Sequence, residues 1–140
     1  MTTKVRSSKF RHLVGNPMQA RECFGDVTCG NISSESTVIK GNSQYFAVPW
    51  VTAGTVCVVP FTQMGAVPDD TPLIHNVNED GDKPMVNEFN FSPHDDQLIA
   101  VAGQDGSVGV YRFPEGGLTS DINNVGILLV FHSPMNALTC

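Results

Sequence analysis

The sequence predicts an all-β chain made of repeated antiparallel units, and three observations carry that expectation. Valine (17 residues) outnumbers leucine (7), and Val, Ile and Thr supply 33 of the 140 positions. Such side chains are stiff at χ1 and fit a pleated, half-buried surface better than a helix. The 13 Gly and 9 Pro are scattered instead of clustered, which excludes collagen-like and low-complexity chain. Most directly, 44–61 realigns on 96–113 without a gap at a shift of 52 positions, pairing Gly54 with Gly106, Thr55 with Ser107, Val56 with Val108, Val58 with Val110 and Phe61 with Phe113. The length suffices for a core, since a chain of this size buries roughly two-thirds of the surface its unfolded form exposes.

In chain order, 8–14 reads as a short strand that belongs to neither repeat. The first unit starts somewhere within 27–40, where Ser33–Thr37 is serine-rich and reads as a turn. Its hairpin strands are expected at 44–50 and 55–61, with an outer strand near 73–77. The second unit comprises 85–91, 97–103, 107–113 and 125–131. Between its central strands stands Asp105-Gly106, a hairpin signal because both residue types tolerate positive φ. Four strands in sequence at a period near 50 fit the blade of a β-propeller, and an antiparallel sandwich built from a duplicated hairpin is the alternative. A propeller needs about four blades to close, so the chain is expected to hold only part of one.

Charge narrows the function classes. The net charge is −6, yet Lys4, Arg6, Lys9, Arg11 and Arg21 put five of eight basic residues in the first 21 positions, leaving three cations against fourteen acids in the rest. Nucleic acid demands many cations on one face, so it is a poor partner for such a body. No apolar run is long enough to span a membrane, and the charged start has no apolar segment behind it. The four cysteines form no C-x-x-C pair, and an intracellular setting predicts free thiols, with Cys57 in the core.

Several constellations invite a chemical reading and fit a duller one better. His132, with Ser107 or Ser133 and Asp105, contains the residue types of a hydrolase triad, but no Gly-x-Ser-x-Gly elbow accompanies them. The loop from Asn76 to Asp82 approaches a calcium-loop pattern but lacks the closing Glu, which makes it a solvated acidic loop. Trp50 is expected to be buried between blades. No nucleophile–base pair or metal cluster is visible, so neither catalysis nor a cofactor is expected.

Specific residues then add a family. Val5-Arg6-Ser7-Ser8-Lys9-Phe10-Arg11-His12, followed by Gly15, resembles the opening signature of coronins, the actin-binding WD-repeat proteins. Phe91-Ser92-Pro93-His94-Asp95-Asp96-Gln97-Leu98-Ile99-Ala100 and the exit Phe113-Pro114-Glu115-Gly116-Gly117-Leu118 resemble that family's first WD repeat. The resemblance implies the N-terminal part of a seven-bladed WD-repeat β-propeller: 8–14 as the ring-closing strand, 23–77 as the first blade, 85–131 as the second and 134–140 as the start of a third. It implies a non-catalytic, cytoplasmic protein of the actin cytoskeleton, whose oligomerising C-terminal coiled coil is absent from this chain. The implied filament contacts are Lys4, Arg6, Lys9, Arg11 and Arg21. Thr28 stands where the family carries an arginine, and a fragment that no longer binds actin is the competing reading. In a WD blade, His, Ser or Thr and the hairpin Asp tie the strands together. The corresponding residues here are His75, Asp105, Ser107 and His132, with Tyr111 in place of the usual tryptophan.

Overall fold

A computed structural model describes residues 15–30 and 37–130. The first of these segments makes a single 3-10 turn, Ala20–Glu22, closed by a capping box between Gln19 and Glu22. Ten strands follow: β1 Phe24–Gly25, β2 Lys40–Gly41, β3 Tyr45–Pro49, β4 Thr55–Pro60, β5 Gly65–Ala66, β6 Leu73–His75, β7 Val86–Phe91, β8 Leu98–Gly103, β9 Ser107–Arg112 and β10 Ile127–Val130. Eight of them build two antiparallel sheets in simple chain order, β2-β3-β4-β6 and β7-β8-β9-β10, while β1 and β5 pair in parallel. The expected strands at 44–50, 55–61, 73–77, 85–91, 97–103, 107–113 and 125–131 therefore all find counterparts. Strand 8–14 lies outside the described residues.

The repeat holds with one correction. In the first sheet Ala47 faces Val58, and in the second Ala100 faces Val110. The later strands of the two hairpins thus correspond at a shift of 52, but the earlier ones correspond at 53. The difference sits in the turns, where four residues separate Trp50 from Thr55 and only Gln104-Asp105-Gly106 separate Gly103 from Ser107. Nor is the second turn a two-residue hairpin with both centres at positive φ. Gly106 alone has φ +85° and returns its N–H to the Gly103 carbonyl, the three-residue hairpin in which a glycine takes the left-handed position.

Period-two alternation decides what each sheet buries. Tyr45, Ala47, Val56, Val58 and Ile74 of the first sheet meet Val86, Phe89, Phe91, Ile99, Val101, Tyr111 and Phe113 of the second in one shared cluster. The opposite face of the first sheet carries Phe46, Val48, Trp50, Cys57 and Val59, and Phe24 and Val27 of the leading segment pack on it. Trp50 is buried in that cluster. Burial pushes the Cys57 thiol up to about 12, which makes it an inert core residue.

Candidate functional site

The junction of the two sheets holds three of the polar side chains that the sequence singles out, Asp105, Ser107 and Tyr111. Asp105, in the β8–β9 turn, accepts from the Ser107 backbone N–H at 3.0 Å and the Ser107 hydroxyl at 2.6 Å through Oδ1, and from Asn78 Nδ2 at 3.0 Å through Oδ2. Burial pushes the Asp105 carboxyl up, but those hydrogen bonds outweigh it and hold the group below its ordinary range. The Asn78 side-chain oxygen accepts from the Asp80 and Asp82 amides, so the acidic loop is organised by its own asparagine.

Tyr111 is fully buried on β9, and its hydroxyl donates to Asn76 Oδ1 at 3.3 Å while accepting from the Val77 N–H at 3.1 Å. Burial raises the phenol, and the Val77 bond lowers it in part. Space for the ring comes from Gly109, where an added Cβ would lie 2.6 Å from the ring edge and hydroxyl. The first sheet, by contrast, carries Cys57 and Val59 at the corresponding positions.

The residue that meets Tyr111 is Asn76; the structure places His75 elsewhere. Ile74 belongs to the shared cluster, and alternation along the strand puts Asn76 on its side and His75 on the other. His75 Nε2 lies 3.0 Å from Asp121 Oδ2 and Nδ1 lies 3.0 Å from Lys83 Nζ. The Leu73 amide and then the His75 ring hold the Asp121 carboxyl below the usual range, against partial desolvation. His132 lies outside the described residues. Asn76, Asn78 and Asp121 were missed by reasoning from sequence. Period two along 74–76 could have found the first, whereas no local signal links Asp121 to a histidine 46 positions away.

Of the basic residues, Lys4, Arg6, Lys9 and Arg11 lie outside the described residues. Arg21 is exposed on the 3-10 turn, and Thr28 is exposed with its hydroxyl directed to the Asp26 carbonyl at 3.5 Å. Further contacts fasten the sheets at their edges: Lys40 Nζ to Glu88 Oε1 at 3.1 Å, Arg112 to Asp95 at 2.6 Å, and Asn42 and Ser43 to Asp96. The Gln97 amide and then Arg112 hold the Asp95 carboxyl below its ordinary value, against partial desolvation. Among the described residues no group of three His, Cys, Asp or Glu side chains is arranged to hold a metal ion, and no helix is long and apolar enough to cross a membrane.

Comparison with known proteins places this architecture. A family model described as a domain of unknown function, DUF1899, matches residues 3–66. Coronin-A of Dictyostelium discoideum is 30% identical over 125 residues, which cover 88% of this chain and 27% of that protein. Coronin-like protein crn1 of Schizosaccharomyces pombe is 27% identical over 113 residues, 79% of this chain and 18% of that protein. The chain thus spans about a quarter or less of the length of these relatives. The crystal structure of the WD40 domain from Toxoplasma gondii coronin superposes with a TM-score of 0.67 at 22% identity, covering 79% of this chain and 28% of that one. Two consecutive four-stranded sheets sharing a face are therefore two blades of a WD-repeat β-propeller, and over most of its length the chain is similar to coronins.

Proposed function

We propose that this chain supplies the opening part of a coronin propeller that binds actin filaments in the cytoplasm and regulates the actin cytoskeleton without catalysis. In this reading 8–14 is the ring-closing strand, 23–77 the first blade, 85–131 the second and 134–140 the start of the third. The observation that carries it is the coronin-type pair of blades joined to a leading segment that holds five of the eight basic residues. A cationic segment on an acidic body is complementary to an acidic filament, and such attraction is screened beyond about 10 Å at 0.1 M salt. Lys4, Arg6, Lys9, Arg11 and Arg21 are its filament contacts. Thr28, exposed and uncharged, favours a second reading in which the propeller is a scaffold without filament affinity.

Co-sedimentation with actin filaments of a version that carries the remaining blades separates the two. Binding that weakens with salt, falls several-fold for Arg21→Glu or Arg11→Glu in a folded protein, and rises for Thr28→Arg supports the filament reading. Indifference to salt and to all three substitutions leaves the scaffold.

A further inference from the structure

The leading segment is tied to the first blade at two places. At one, the Gly65 N–H donates to the Cys23 carbonyl at 2.8 Å and the Val67 N–H to the Gly25 carbonyl at 2.9 Å, which sets β1 parallel to β5. At the other, the Gly30 N–H donates to the Pro49 carbonyl at 2.8 Å, and Cys29 bridges to Trp50. Phe24 meets Phe46 edge-on with ring centroids 4.8 Å apart and lies 6.3 Å from Phe61, while Val27 packs against the cluster of Phe46, Val48 and Val59. Because β5 belongs to the mostly exposed loop that joins β4 to β6, that loop braces the segment in front of it.

Arg21 hangs from this brace. Its 3-10 turn ends at Cys23, the residue whose carbonyl takes the Gly65 N–H, and the turn packs against β5. Within the turn, the Glu22 N–H donates to the Gln19 carbonyl at 2.8 Å and the Gln19 N–H to Glu22 Oε2 at 3.2 Å. The ion pairs among the described residues do not include Arg21, so what the brace fixes is the backbone beneath an exposed cation. A contact made from a backbone already in place gives up less affinity to ordering.

We propose, resting on the filament reading above, that Gly65 and Phe24 are positioning residues for the Arg21 contact: the β4–β6 loop holds the leading segment where Arg21 meets its acidic partner. The brace depends on a glycine. Gly65 takes φ +108°, which residues with a side chain rarely adopt, and an added Cβ there would meet nothing within 4 Å. Gly65→Ala therefore strains the backbone of β5 without a clash. Phe24→Ala removes the anchor on the other strand, and Phe24→Leu keeps its apolar body.

Amide hydrogen exchange on the full chain reads the brace, and co-sedimentation with actin filaments of the version that carries the remaining blades reads the contact. Gly65→Ala and Phe24→Ala each raise exchange at the amides of residues 65 and 67 about fivefold, the scale of one lost hydrogen bond between uncharged groups, and leave the amides of β8 and β9 protected. Each weakens filament binding several-fold, lowers its salt dependence, and loses little more when Arg21→Ala is added, since both changes then act on the same contact. Phe24→Leu keeps protection and binding. Either alanine variant decides alone if the other fails to fold. Amides that stay closed in the folded variants overturn the brace. Binding unchanged once they have opened overturns the positioning role, as does a loss that adds in full to that of Arg21→Ala. Filaments indifferent to Arg21→Ala in the otherwise unaltered protein overturn the filament contact at Arg21 itself, and the positioning role with it.

Discussion

The two blades share a topology and a register, yet they bury different amounts of themselves. Every residue of β3 and β4 is buried, because the second blade covers one face of the first and the leading segment covers the other. In β8 and β9 burial alternates strictly, with Ile99, Val101 and Tyr111 covered and Leu98, Ala100, Val108 and Val110 only partly so. The outer strand β10 is more open still, with Ile127 58% and Leu129 48% exposed. The lesson is that the worth of a repeat position depends on what lies over it, since apolar stabilisation follows area removed from water. Polar organisation runs the other way. The second blade uses Asp105, Ser107, Tyr111 and Asn76 where the first uses Thr55 bonded to a backbone carbonyl and an apolar Val59.

The largest way to break this comparison is Phe89→Ala, which empties the cluster that both blades share and is expected to cost about 3–5 kcal/mol. Because the cluster is common, fluorescence of the single tryptophan, Trp50 in the first blade, should report the same denaturation midpoint shift as circular dichroism of the whole chain. A shift seen by dichroism alone would show that the blades unfold independently.

Register-equivalent valines sharpen it. Val58→Ala removes a side chain 2% exposed and should cost about 2 kcal/mol, whereas Val110→Ala on the half-open face should cost less than about 1 kcal/mol. Equal losses in chemical denaturation would mean that the two positions are equally covered.

Smaller effects concern the polar side of the junction. Gly109→Ala drives a methyl into Tyr111 and should cost about 1–3 kcal/mol by overpacking, while Tyr111→Phe gives up the Asn76 and Val77 bonds for about 1 kcal/mol. Thermal melts of the two variants and of their combination check whether they act through the same ring, because coupled sites are non-additive.

The smallest expected effect is acid sensitivity, and two of the three carboxylates that carry it, Asp95 and Asp105, hold turns of the second blade. Asp95, Asp105 and Asp121 are all held below their ordinary values in the folded chain. Their contribution is therefore complete above the unfolded carboxylate value of about 4 and is withdrawn as pH falls below it toward the lower folded values. On acid titration, amides of β8 and β9 should lose protection before those of β3 and β4, and Asp105→Asn should narrow the gap.

What the sequence determined by itself is what short-range physics encodes. Short apolar runs rich in β-branched and aromatic residues mark β3, β4 and β8, alternation at period two marks β9, and glycine at 54 and 106 marks turns because each takes a positive φ, +70° and +85°. The 52-residue repeat followed from the same local patterns. The tertiary structure decided whatever depends on contacts across the chain. A one-residue difference in turn length set the true correspondence of the first hairpin strands, since inserting a residue flips every side chain that precedes it to the other face. Asn76 meets Tyr111 because both lie on the covered side of their strands, and His75 meets Asp121 because the connection at 121–122 folds back along β6. Period two along 74–76 marks the side on which Asn76 lies but not its partner, and nothing in the residues around His75 marks Asp121, for the energy of such a contact arises only once the two blades have packed together.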